Sequence, residues 1–161
     1  MFTAAENVFT KEAGTALDGL DGQKKPIPQV ARHYQAEGLG WVVVGDENYG
    51  EGSSREHAAM SPRYLGCRLV LAKSFARLHL TNLKKQGVLP CTFASTADYD
   101  KVAAATDRIS VTGLSALAPG KPLAATIYHA DGRTEPIQLL HSMTGEQIRW
   151  FKAGAALNLV A

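Results

Sequence analysis

The run Trp41-Val42-Val43-Val44-Gly45-Asp46 is short, β-branched and closed by a glycine, the pattern of a strand buried on both faces. After an intervening stretch with helical character comes a second such run, Arg68-Leu69-Val70-Leu71-Ala72. Ser74 then offers an N-cap for a helix along which Phe75, Leu78, Thr81, Asn82 and Lys85 are spaced. Gly87 ends that helix, and Val88-Leu89-Pro90 starts a third strand. Upstream, the residues from Pro28 to Glu37 read as a helix, with proline at its start and Gly38 as its stop. Alternation of strand and helix at this spacing predicts a parallel α/β core.

The second half follows a different rule. Arg108-Ile109-Ser110-Val111-Thr112 is strand-like, and Ala118-Pro119-Gly120-Lys121 is turn chemistry. Two strand candidates, Leu123 to His129 and Thr134 to Leu140, flank Asp131-Gly132, a hairpin signal. Thr144-Gly145-Glu146-Gln147 has capping-box spacing and opens a last helix through Ile148, Trp150 and Phe151. The first 25 residues hold several glycines and scattered charges without periodicity, and read as mostly loop. The expected sum is a three-layer α/β domain with a short parallel sheet and an antiparallel β portion.

Composition bounds the function classes. A chain of 161 residues with 45% hydrophobic content is one domain's worth and can bury an ordinary core. Charged residues make up 20% and the net charge is +2, so no general field favours nucleic acid or a membrane surface. No apolar run approaches the ~20 residues that cross a bilayer. Met1-Phe2-Thr3-Ala4-Ala5-Glu6 has neither the basic nor the apolar region of a secretory signal, nor the arginine-rich character of a transit peptide. The two cysteines, Cys67 and Cys91, are far apart, make no metal-ligand spacing, and read as small buried apolar residues of a reducing compartment.

Chemistry concentrates in the segment Gly45-Asp46-Glu47-Asn48-Tyr49-Gly50-Glu51-Gly52-Ser53-Ser54-Arg55-Glu56-His57-Ala58-Ala59. It follows a predicted strand and leads into a helix, and in open α/β sheets ligands bind beyond the carboxyl ends of the strands. Gly50 and Gly52 let the backbone turn sharply and approach a ligand. If Ser53 to Arg55 open the helix, its free N–H groups and dipole favour an anion there, and Arg55 adds a planar bidentate donor. The same residues also fit a tight connection whose serines cap a helix. Neither the phosphate-loop pattern nor the Gly-x-Ser-x-Gly elbow is present.

The segment Gly45 to Ala59, with its Gly-Ser-Ser-Arg-Glu-His-Ala-Ala core, resembles the active-site loop in the last domain of the aconitase family. Lys73-Ser74-Phe75-Ala76-Arg77-Leu78-His79 and Thr81-Asn82-Leu83-Lys84-Lys85-Gln86-Gly87 are similar to the helix that follows it there. Ala118-Pro119-Gly120-Lys121-Pro122 and Trp150-Phe151-Lys152-Ala153-Gly154 also sit where similar segments fall in the family. The resemblance runs through 26–161 and is poor over 1–25. It is greatest to the citrate enzymes of mitochondria and bacteria. Homoaconitase and isopropylmalate isomerase share the Gly-Ser-Ser-Arg feature in less similar surroundings. Leu80 stands where members of the family carry an acidic residue, which implies a locally altered interface.

The resemblance implies a swivelling three-layer β/β/α domain of a hydro-lyase that interconverts citrate and isocitrate through cis-aconitate. Ser53 would be the base that removes the substrate proton. Ser54 and Gly52 would bind substrate, and Arg55 would hold Ser53 or a substrate carboxylate. Acid–base partners would come from other domains, leaving Glu56 to local hydrogen bonds and Glu47 and Glu51 to solvent. His57 would be structural, Arg77 and His79 would make surface or interdomain contacts, and Lys84-Lys85 would be a solvated face. A 4Fe-4S cluster would be required, held by cysteines of earlier domains that Cys67 and Cys91 cannot replace. A further substrate-binding arginine would lie upstream of the matched stretch.

The implied partners are a tricarboxylate and the cluster-bearing domains or a large subunit, in the mitochondrial matrix or a bacterial cytoplasm. The isolated chain would be inactive. A degenerate tricarboxylate-binding module and the small subunit of an isopropylmalate isomerase-like enzyme are the alternatives, and nothing in the charge pattern marks an RNA binder.

Overall fold

A computed structural model of the chain describes residues 1–160. Three parallel strands, β3 (Trp41–Gly45), β4 (Cys67–Ala72) and β5 (Leu89–Phe93), form half of a six-stranded sheet once two short N-terminal strands, β1 (Thr15–Leu17) and β2 (Lys24–Pro26), have paired separately. Three antiparallel strands, β6 (Arg108–Thr112), β7 (Leu123–Tyr128) and β8 (Thr134–Leu140), form the other half, and the order across the sheet is β3-β4-β5-β8-β7-β6. Helices α1 (Ile27–Ala36), α2 (His57–Tyr64), α3 (Arg77–Lys85) and α4 (Gly145–Lys152) fill the connections and the end of the chain. The mixed α/β class expected from the sequence is the one found.

Side-chain alternation from Leu69 to Leu71 of β4 assigns the layers, and Cys67 falls on the Val70 side next to a register shift in the β3–β4 pairing. Val70 and Cys67 pack with Ala59 of α2, Leu83 of α3 and Val88. Leu69 and Leu71 point into a second cluster with Cys91 and Phe93 of β5 and with Ala125, Ile127, Ile137 and Leu139 of β7 and β8. Helices therefore cover one side of the parallel strands while residues of the antiparallel half meet the other. Both cysteine side chains are buried in this arrangement, and burial pushes each thiol up to about 12. They stay protonated and inert near neutral pH.

Several sequence-derived boundaries move. The first 25 residues are more ordered than a loop, because β1 pairs antiparallel with β2 and Glu6 bridges Ala13. Three-residue strands carry no readable period, which is why they were invisible in the sequence. The strand Trp41–Gly45 is half-buried throughout instead of buried on both faces, because it lies at the sheet edge. The helix expected from Ser74 starts only at Arg77, and the Ser74 hydroxyl accepts instead from the Asn48 backbone N–H at 2.8 Å. Gly87 does end that helix, at φ +74°, and a Cβ there would lie 1.9 Å from the Gly154 carbonyl oxygen. The Thr144–Gln147 capping box is formed in both directions. Lys84 is not solvated: it is 7% exposed, and its ammonium donates to the Ser142 carbonyl and hydroxyl, each at 3.0 Å.

One buried polar group makes stability depend on pH. The imidazole of His129 lies between Glu135 at 2.6 Å on Nε2 and Asp107 at 2.9 Å on Nδ1, so both ring nitrogens face carboxylates. Asp107 also accepts from the Ala103 and Ala104 backbone N–H groups, which ties that segment to the β7–β8 hairpin. Hydrogen bonds to Glu135 and then Asp107 raise the His129 pKa above its ordinary 6.5. A raised histidine value adds stability that is complete below the unfolded-state pKa and is lost as pH climbs through the folded-state one. His129 should therefore contribute a fall in the urea midpoint between pH ~6 and ~9, and His129→Gln should remove that contribution from the slope. An identical slope in the variant would remove His129 from the account.

Candidate functional site

The loop from Asp46 to Glu56 leaves the carboxyl end of β3 and enters α2. Its first half is stitched to the strand–helix connection that follows β4. Tyr49 donates its N–H to the Ser74 carbonyl at 3.0 Å and accepts from the Ala76 N–H at 2.9 Å, a one-residue extension of the parallel pairing. Lys73 closes an ion pair on Asp46 at 2.8 Å, and its ammonium lies 4.3 Å from the centroid of the Tyr99 ring. The hydrogen bond to Lys73 holds the Asp46 carboxyl below the usual carboxylate range. Both groups are thereby committed to structure.

Beneath the loop the Tyr49 ring meets Phe75 edge-on at 5.9 Å and His79 at 5.4 Å. Burial pushes the Tyr49 phenol up and the His79 imidazole down, so both are neutral near pH 7. His79 is only 3% exposed, and its Nδ1 is buried without a hydrogen-bond partner. The surface or interdomain role expected for it is therefore corrected: its helix turns it inward under the loop. Gly50, at φ +92°, rests on that ring, and a Cβ there would lie 2.3 Å from the His79 Cβ and Cγ. Gly50 is thus the close-approach glycine of the pair. Gly52 is exposed, with open space where its Cβ would point.

Ser53, Ser54 and Arg55 are brought together at the top of this platform, with Ser53 half-buried and the other two exposed. They do not open the helix. The first helical residue is His57, because the loop is held by side chains before helical geometry begins. Ser53 donates its N–H to the Gly50 carbonyl at 3.2 Å, and its hydroxyl accepts from the Arg55 N–H at 3.4 Å. Asn82 of α3 donates to the Ser54 carbonyl at 3.1 Å, and Gln86 donates to the Glu56 carboxylate at 2.9 Å. Glu56 is hydrogen-bonded as expected, though to a distant helix. Among the described residues, the backbone N–H groups of Ser54, Glu56 and His57 have no acceptor, and the Arg55 guanidinium makes no ion pair. Free amides beside a free guanidinium at a helix entrance are the donor set that a small anion requires. Asn82 and Gln86 were missed as site residues because the sequence presents them only as polar positions on a helix.

Fold and loop together define a mixed-sheet α/β domain that presents a Gly-Ser-Ser-Arg donor loop at the carboxyl end of an edge strand. The family model of the aconitase C-terminal domain matches residues 2–96, a range that takes in both the opening segment and the loop. The chain belongs to the aconitase C-terminal domain family. It is 51% identical over 158 residues to the probable mitochondrial aconitate hydratase of Caenorhabditis elegans, a match covering 98% of this chain and 20% of that protein. Against the probable mitochondrial enzyme of Dictyostelium discoideum it is 53% identical over 161 residues, 99% of this chain and 21% of the other. With the mitochondrial aconitate hydratase of Saccharomyces cerevisiae it shares 49% identity over 156 residues, covering 97% and 20%. The chain therefore spans about a fifth of the length of these curated relatives. Among solved structures, a 3-isopropylmalate dehydratase from Methanocaldococcus jannaschii is similar, with a TM-score of 0.50 and 25% identity over 74% of this chain and 62% of that one.

Proposed function

We propose that this chain is the serine-bearing domain of an aconitate hydratase-type hydro-lyase that interconverts citrate and isocitrate through cis-aconitate. The observation that carries the reading is the Ser53-Ser54-Arg55 loop, held over a partly buried aromatic platform with the Ser54 amide and the Arg55 guanidinium free, in a chain about half identical to such enzymes. In this reading Ser53 takes the proton from the carbon beside a substrate carboxylate, and the electron pair of that C–H bond forms the double bond. The hydroxyl leaves the neighbouring carbon toward parts of the enzyme outside this chain. Ser54, Arg55 and the exposed backbone at Gly52 bind the carboxylates. A serine hydroxyl is a very weak acid, so its alkoxide needs fixed donors close by. The unpaired N–H groups of Ser54, Glu56 and His57 and the Arg55 guanidinium supply them.

The 4Fe-4S cluster that the family implies does not fit this chain's own residues. Cluster iron is held by clustered thiolates, whereas Cys67 and Cys91 are buried and protonated. We therefore assign the cluster to other domains or to a large partner subunit, as a mitochondrial enzyme related to those above would have it. Residues 26–161 form the swivelling domain in this reading. Residues 1–25 brace α1, since the fully buried Asp18 pairs with His33 of that helix and with Lys25.

The test is hydration of cis-aconitate by this chain alone and then mixed with a cluster-loaded protein carrying the remaining domains. Activity in the mixture only is the expected result. No activity with a folded chain and an intact cluster would replace the enzyme reading with that of a tricarboxylate-binding module.

A further inference from the structure

The loop that carries Ser53 is not held by its own backbone. Within it, only Glu51 to Asn48, Ser53 to Gly50 and the 3.4 Å contact of the Arg55 N–H with the Ser53 hydroxyl link one residue to another beyond the Asp46–Glu47 turn. From Gly50 onward it is attached instead at three points to α3 and its C-cap residue Gln86. Gly50 lies on the His79 ring, the Ser54 carbonyl accepts from Asn82, and Glu56 accepts from Gln86. Positions 79, 82 and 86 are three and then four residues apart, which places them in one stripe along a helix. The stripe is anchored from its own side of the helix, because Leu83, one turn on from His79, is buried against Ala59, Val70 and Val88. Ser53 is thereby slung between two of the three attachments, one residue before Ser54 and three after Gly50.

We infer that the His79–Asn82–Gln86 stripe of α3 is the positioning element of the serine, with Asn82 the residue that sets the Ser53–Ser54 backbone. This rests on the reading of Ser53 as the base. Asn82 is a positioning residue and touches no reacting atom. Its amide makes its one side-chain hydrogen bond, at 3.1 Å, to the Ser54 carbonyl. Asparagine is also a poorer helix former than alanine or leucine, so at mid-helix it does not serve the helix itself. Asn82 is half-buried and outside both core clusters, so its loss leaves the packing of α3 intact. What it loses is the restraint on the carbonyl next to Ser53. A displacement near 1 Å of a reacting group costs about 100-fold in rate.

The experiment uses the complete cluster-loaded enzyme with Asn82→Ala and the isosteric Asn82→Asp, which puts an oxygen against the Ser54 carbonyl in place of the donor. Both should lower kcat by roughly 10- to 100-fold with KM almost unchanged, while the thermal midpoint moves by no more than about 2 °C. Amide hydrogen exchange of Ser53 and Arg55, whose N–H groups have acceptors within the loop, should quicken in both variants when measured in this chain. A purely structural residue would lower the melting point and leave kcat of the folded fraction unchanged, and that result overturns the inference. Ser53→Ala run in parallel separates the two levels. If Ser53→Ala is inactive and the Asn82 variants are at full speed, the role of α3 falls and the serine reading stands. If Ser53→Ala is fully active, the serine reading falls, and unchanged loop exchange in the Asn82 variants then removes the positioning role as well.

Discussion

Ser53→Ala in the complete enzyme should reduce kcat by about 10²- to 10⁴-fold, the range over which a positioned general base contributes. KM should change little, because in the proposed role the hydroxyl acts where charge develops and not where substrate first binds. The fold should be indifferent to the change: the Ser53 hydroxyl makes one long contact, 3.4 Å to the Arg55 N–H, and the side chain is only half-buried. Steady-state rates beside a thermal melt therefore separate chemistry from folding cleanly. Unchanged turnover at an unchanged melting point would end the base assignment. A rise in KM alone would move Ser53 into the group proposed to bind carboxylate, with Ser54 and Arg55.

Gly50→Ala is the second large effect, and it acts on both fold and rate. At φ +92° any Cβ is strained, and here it would stand 2.3 Å from two atoms of His79. The imidazole has nowhere to go, being 3% exposed and packed against the Tyr49 ring. Strain at such a position costs on the order of 1–3 kcal/mol and overpacking a similar amount. The melting point should fall by several degrees and kcat by roughly 100-fold, since relief of the clash lifts the loop that carries Ser53. Truncating the obstacle supplies the control. His79→Ala in the Gly50→Ala background should recover part of the lost stability, and a strictly additive double variant would refute the proposed clash.

Features in which a side chain acts on its own neighbours are legible in the amino-acid sequence alone. The Val42–Val44 run, the Leu69–Leu71 run, the Asp131-Gly132 hairpin and the Thr144–Gln147 capping box are such features, and all appear in the structure. The expected helix start at Ser74 failed because the hydroxyl was taken by a residue 26 positions earlier, a partner that no local pattern contains. Lys84 failed for the same reason: its acceptors, on Ser142, lie 58 residues further along the chain. His79 was read as a surface or contact residue, yet helix phase together with the inward lean of the loop buries it.

The candidate site divides in the same way. Gly-Ser-Ser-Arg was legible as a candidate small-anion loop, beside the alternative of a tight helix-capping connection, because glycine, hydroxyl and guanidinium declare their chemistry one residue at a time. The family, and with it the expectation of a hydro-lyase domain, was legible from the same stretch. What tertiary structure alone decided is where the loop is held and by what. It placed the start of α2 at His57, after Ser53–Arg55, which left three amides free, and it made an aromatic floor of Tyr49, Phe75 and His79. It also brought Asn82 to Ser54 across 28 residues of chain. Local preferences are properties of short segments and survive in any context, whereas these contacts exist only once the parallel strands have set β3 and β4 side by side and packed α3 against them.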